Sequence, residues 1–142
     1  MTYWRLFYHI VWATKGREPL ISPDLEPDLM RVIVGKAQAL GAMVHAMGGI
    51  ENHVHLAVSI PPRIAVSEFV AQLKGSSSHF VNHRHGWTTP FAWQPEYGVL
   101  SFDARKLDDI VKYIRNQRQH HQDRSTFPVL ERVSAESQDA AR

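Results

Sequence analysis

The stretch His53-Val54-His55-Leu56-Ala57-Val58-Ser59-Ile60, closed by Pro61-Pro62, limits the possible folds more than any other part of the chain. Apolar and β-branched residues favour an extended backbone here, and proline ends the ladder because it has no N–H to donate. Successive side chains on a strand point to opposite faces. His53 and His55 therefore share one face, while Val54, Leu56, Val58 and Ile60 share the other.

Residues 7–14 are also rich in aromatic and β-branched side chains and run into the polar loop Lys15-Gly16-Arg17-Glu18-Pro19, which predicts a first strand. Ser22-Pro23 supplies an N-cap and a proline at the first helical position. Leu25, Leu29, Val32, Ile33 and Ala37 follow at helical spacing until Gly41 stops the run. A short strand over 43–47 connects to the histidine strand through Gly48-Gly49-Ile50-Glu51-Asn52, a link suited to antiparallel pairing. Phe69, Val70, Leu73, Ser77 and Phe80 fall on one face of a second helix over about 66–83. Residues 86–98 have no clear period. A last strand over 99–102 precedes Asp103, which can cap a helix running to about 122.

The order βαββαβα predicts an α+β, ferredoxin-like antiparallel sheet with two helices on one face and the C-terminal helix on the other. At 142 residues, 44% of them hydrophobic, the chain suits a single domain over 1–130 followed by a polar, frayed tail over 131–142. No apolar run is long enough to span a bilayer and the first residues lack the pattern of an export signal, so a cytoplasmic protein without a membrane partner is expected. The absence of cysteine rules out disulfides, thiolate metal sites and cysteine nucleophiles. Any metal must be held by imidazole, carboxylate or amide oxygen, and the chain has nine histidines. A net charge of +2 permits nucleic acid as a partner without requiring it. The basic side chains gather at Lys112, Arg115, Arg118 and Arg124, a pattern that also suits a solvated helix face.

Two imidazoles on one face can hold a metal, although an isolated pair equally suits histidines hydrogen-bonded along a polar face. His9 shares its side of the first strand with Phe7 and Val11 and can face the same site, as a weak ligand or as a partner orienting one. On the last helix Tyr113 and Gln117 are four residues apart, with Asp109 and His121 continuing the line. Spacing alone leaves open whether Tyr113 is a packing residue and Gln117 a solvated one.

Taken together, five segments resemble a known family over nearly the whole chain. They are Tyr8-His9-Ile10-Val11-Trp12-Ala13-Thr14-Lys15; Asn52-His53-Val54-His55-Leu56 with Val58-Ser59-Ile60-Pro61-Pro62; Leu73-Lys74-Gly75-Ser76-Ser77-Ser78; Trp93-Gln94-Pro95-Glu96-Tyr97-Gly98; and Lys112-Tyr113-Ile114-Arg115-Asn116-Gln117. The chain resembles the single-tyrosine transposases of the insertion-sequence-200 type, within the histidine-hydrophobic-histidine endonuclease superfamily. The resemblance implies that His53, His55 and Gln117 bind a divalent cation, Mg2+ or Mn2+, and that Tyr113 attacks single-stranded DNA to form a 5′-phosphotyrosine. It also implies a homodimer, in which the tyrosine serves either its own or the partner's histidine pair, and hairpin-forming element ends as substrate. Lys74, Ser76, Ser77, Ser78, Arg115 and Arg118 become candidates for phosphate contacts, and Trp87, Trp93 and Tyr97 for base stacking. His121, one turn beyond Gln117, departs from the family pattern and can replace or assist it. The same residues also suit a noncatalytic or domesticated single-strand-binding module, or a hydrolase using metal-bound water with Tyr113 only orienting substrate.

Overall fold

The computed structural model describes residues 1–84 and 90–135. Its four strands are β1 (Tyr8–Ala13), β2 (Met43–Ile50), β3 (His53–Ser59) and β4 (Gly98–Ser101), and its helices are α1 (Glu26–Ala39), α2 (Val66–Asn82), α3 (Leu107–Arg115), α4 (Gln117–Gln122) and α5 (Pro128–Glu131). The strands form one antiparallel sheet in the order β2-β3-β1-β4. This is the arrangement that the alternating elements predict.

Strand parity divides the core. Ile10 and Trp12 of β1, with Val54, Leu56 and Val58 of β3, pack against Leu29, Ile33 and Ala37 of α1 and Phe69, Val70, Leu73 and Val81 of α2. On the opposite face Ala46 and Ala57 meet Ile114 of α3, with Ile110 and Val111 beside it. All of β3 is buried, because helices cover both of its faces. In register, Val11 of β1 lies opposite His55 and Ala13 opposite His53, which sets His9 beside the histidine pair.

Several local expectations shift for physical reasons. β2 continues through Gly48, Gly49 and Ile50, leaving Glu51-Asn52 as the turn. Gly48 belongs in the strand because α3 crosses it so closely that a Cβ would sit 2.3 Å from the Ile114 carbonyl oxygen. Ser22 accepts a hydrogen bond from the Leu25 N–H, but the chain makes a turn before α1 begins at Glu26. Asp103 caps a 3-10 turn at Ala104–Lys106 through the Arg105 N–H rather than the main helix. The single long C-terminal helix is in fact two, broken at Asn116 (φ −107°, ψ 28°).

The expected frayed tail needs a similar correction over its first residues. The chain stays packed through α5 and beyond, with Leu130 and Val133 buried. Gly98 makes room for it, since a Cβ there would lie 1.8 Å from the Arg132 carbonyl oxygen. The remaining tail, 136–142, lies outside the described residues.

Candidate active site

Central strands bring three histidines to the face covered by α3 and α4. His53 and His55 project from β3 as parity requires, and His9 projects from β1 next to them. Neither histidine of the pair stands alone. The Asn52 side-chain oxygen accepts from His53 Nδ1 at 2.8 Å, and His9 Nε2 lies 2.8 Å from His55 Nδ1. When Nδ1 carries the proton, a neutral imidazole turns the Nε2 lone pair inward, the arrangement found behind metal-binding histidines.

The helix break at Asn116 does not disperse the C-terminal residues. Gln117 is buried, and its Oε1 lies 3.4 Å from His53 Nε2 and 3.2 Å from His121 Nε2. Asp109, by contrast, stays exposed on α3 and takes no part. Tyr113 is also buried, at 2% exposure, with its ring 5.9 Å from that of His55 in the same chain. Its ring stacks against both His120 and Phe127, at 4.6 and 4.9 Å, and those two rings lie 6.1 Å from each other.

One member of the cluster comes from the segment whose composition predicts a frayed tail. Glu131, at the end of α5, places Oε1 3.0 Å from His53 Nε2 and 3.3 Å from His121 Nε2, and Oε2 3.3 Å from His55 Nε2. It accepts a hydrogen bond from the Tyr113 hydroxyl, whose oxygen also accepts from the Phe127 N–H at 3.0 Å. Gln117 Nε2 donates to the same carboxylate at 3.4 Å, so the amide turns its oxygen toward the histidines. No sequence pattern marks Glu131. Its role depends on a chain reversal after α4 that neither periodicity nor spacing encodes.

Burial governs the electrostatics. It lowers His9 to about 3, aided by the nearby His55, and lowers His55 as well, partly offset by Glu131. Both are neutral imidazoles at pH 7. Burial alone would raise the Glu131 carboxyl, but its contacts with His53, His55 and Tyr113 outweigh that and hold it below the usual carboxylate range. Burial and the adjacent Glu131 raise the Tyr113 phenol well above an ordinary tyrosine, so the hydroxyl keeps its proton.

The donor set is suited to a divalent cation. His53, His55 and Glu131 each offer a ligand atom within 4.8 Å of the others. Among the described residues His55 Nε2 is one of two buried side-chain polar atoms without a hydrogen-bond partner, despite the nearby carboxylate. A cation would satisfy it. Imidazole nitrogens with amide and carboxylate oxygens suit Mn2+ and comparable metals, and Mg2+ where further oxygens are supplied.

The expected phosphate contacts fare differently. Lys74 donates to the carbonyl oxygens of Gln94, Pro95 and Glu96 at 2.8, 3.2 and 2.8 Å, so its ammonium clamps a loop. Burial lowers it to about 8. Ser77 is buried, bonded to the Leu73 carbonyl, and accepts from Trp93 Nε1, while Trp93 packs against Trp12 and Phe91. These contacts engage the Ser77 hydroxyl and the Trp93 indole N–H within the fold. Tyr97 packs at the edge of the main core, with the Lys74 ammonium over its ring. Ser76 lines an open groove with Glu68, Gln72 and His79, and Ser78 bonds the Gly75 carbonyl. Arg118 pairs with Glu26 at 2.6 Å, and Arg115 is exposed beside a groove bordered by Gly48 and Gly49. Trp87 lies outside the described residues.

The same architecture occurs in known proteins. The chain is 29% identical over 119 residues to the ISDra2 transposase TnpA of Deinococcus radiodurans, covering 80% of this chain and 85% of that one. It is 27% identical to the transposase for insertion sequence element IS200 of Salmonella typhimurium, covering 79% and 78%. A crystal structure of a putative transposase from Deinococcus radiodurans superposes with a TM-score of 0.63 at 27% identity, over 82% of this chain and 95% of that one. The fold is shared as well, with a TM-score of 0.63 and 15% identity, by a REP-associated tyrosine transposase bound to a REP hairpin, over 100% and 87% of the two chains. No helix among the described residues is long and apolar enough to cross a membrane. The model of the family described as "Transposase IS200 like" matches residues 2–117, and the chain belongs to that family of transposases.

Proposed function

We propose that this transposase cuts single-stranded DNA at hairpin-forming element ends by a metal-dependent attack of Tyr113, and rejoins strands through the resulting 5′-phosphotyrosine. The observation carrying this reading is the convergence of His53, His55, Gln117 and the Tyr113 hydroxyl, from a strand and two helices, on one side of the sheet. His53, His55 and Gln117 would hold the cation. Its chemistry would be to neutralise charge developing on phosphate oxygens, the main barrier to phosphodiester cleavage.

The chain's own groups then do the following. Tyr113 Oη bonds to phosphorus as the bond to the 3′ oxygen breaks; the phenol gives up its proton and the departing oxygen gains one. The aryl phosphodiester conserves the energy of the broken bond, so a 3′ hydroxyl can reverse the step without ATP. Asn52 and His9 orient the two imidazoles. Tyr113 lies beneath Phe127 and His120, so a DNA strand engages it only after these rings give way.

The family resemblance supports a homodimer, while the closeness of Tyr113 to its own chain's His55 favours action in cis. The test is incubation with Mn2+ and labelled single strands from the element's genomic flanks, resolved under denaturing conditions. A protein–DNA adduct that vanishes in Tyr113→Phe, together with cleavage, is the expected result. Cleavage surviving in that variant would replace the proposal with hydrolysis by bound water, and binding without cleavage in the native protein would leave a hairpin-binding module.

A further inference from the structure

The segment 127–131 lies beyond the residues matched by the family, yet it delivers a carboxylate into the centre of the site. This placement is built into the fold. Leu130 and Val133 are buried on either side of Glu131, and Gly98 on β4 admits the Arg132 backbone at a distance any side chain would prevent.

We infer that Glu131 is itself a ligand of the divalent cation, completing a two-histidine, one-carboxylate set with Gln117, and that its second oxygen ties this set to the Tyr113 hydroxyl. The inference rests on the metal-dependent reading above. Ligand atoms about 2.1 Å from an ion lie roughly 3.0–3.4 Å from their neighbours in tetrahedral or octahedral geometry. The contacts from Glu131 Oε1 to His53 Nε2 at 3.0 Å and from Gln117 Oε1 to His53 Nε2 at 3.4 Å fall within that range, and the second carboxylate oxygen, which accepts from Tyr113, lies 3.3 Å from His55 Nε2. His55, fully buried, aims an Nε2 without a hydrogen-bond partner into the same space.

Charge supports the same reading. Two imidazoles and an amide are neutral ligands, whereas a carboxylate contributes the negative charge that makes a divalent ion favourable in a buried site. Two histidines and one carboxylate are also the set that transition metals share with open positions for substrate, which favours Mn2+ over Mg2+ in the DNA-free protein. Because Glu131 also accepts from Tyr113, the ion, the nucleophile and the last helix become one connected unit. Ion binding should then anchor the C-terminal segment.

The test uses the full chain, without DNA, titrated with Mn2+ by calorimetry and by the electron paramagnetic resonance of free Mn2+. Glu131→Gln and Glu131→Ala are compared with the native protein, with His53→Ala as control and thermal melts to verify folding. The expected result is affinity about tenfold or more weaker in both Glu131 variants. Mn2+ should also slow amide exchange over 127–133 in the native protein but not in Glu131→Gln. Unchanged or tighter binding in folded Glu131 variants would overturn the inference, since the carboxylate would then merely occupy the cation's place. If His53→Ala also bound Mn2+ like the native protein, the failure would belong to the site assignment itself.

Discussion

Acidification should destabilise the metal-free protein, and His9 should account for a measurable share of the effect. In an unfolded chain a histidine titrates near 6.5, while burial beside His55 brings folded His9 to about 3. The unfolded state therefore takes up this proton first, so stability rises with pH between about 3 and 6.5 and falls as pH drops through that window. From pH 7 to pH 5 the unfolded state gains about 2 kcal/mol from this one group. For a chain of this size that corresponds to a loss of roughly 5–8 °C in melting temperature. His55, also lowered, acts in the same direction; the Glu131 charge limits both histidine shifts, while its own carboxyl, held below the usual range, adds to the acid loss at lower pH. The assay is thermal unfolding in chelator at pH 7 and pH 5, comparing the native protein with His9→Gln. Gln at position 9 can still accept from His55 Nδ1 but does not titrate, so its acid sensitivity should be smaller by about 1 kcal/mol per pH unit. Equal acid sensitivity in the two proteins would refute the reasoning, because His9 would then not be held neutral by the fold.

Further perturbations separate structural from functional roles. Lys74→Met strips the donors from the Gln94, Pro95 and Glu96 carbonyls and should cost about 1–3 kcal/mol in urea unfolding; a large loss of DNA affinity with stability intact would restore a phosphate role. Gly98→Ala should detach the segment around Arg132, seen as faster proteolysis there with the rest of the fold retained. Gln117→Ala should weaken Mn2+ binding more than His121→Ala, because Gln117 is buried and its Oε1 lies 3.4 Å from His53 Nε2; the reverse order in a calorimetric titration would transfer the third ligand to His121. Exhaustive chelation should abolish strand cleavage, and activity that persists in EDTA would remove the cation from the mechanism.

Much of the fold was legible because it depends on local periodicity. The alternation across β3 determined that His53 and His55 face away from the apolar residues, and parity on β1 put His9 on the same side. The four-residue spacing of Tyr113 and Gln117 survived a helix break that the sequence did not announce, since one irregular residue at Asn116 changes the axis without moving either side chain off the site. Lys74 and Ser77 belong to a motif that suggested phosphate contact, but the loop from Gln94 to Glu96 folds back over α2 and takes up the Lys74 ammonium, while Trp93 takes the Ser77 hydroxyl.

By itself, the sequence determined the four strands, the first two helices, the family and the residues on one face of each of these elements, because side-chain direction follows from backbone period alone. Only the tertiary structure decided that Glu131 stands between the histidines and Tyr113, that Gly48 and Gly98 must be glycines, and that Lys74 is a clamp. Those outcomes depend on how distant backbones approach one another, and close approach is fixed by packing across the sheet rather than by the order of residues along the chain.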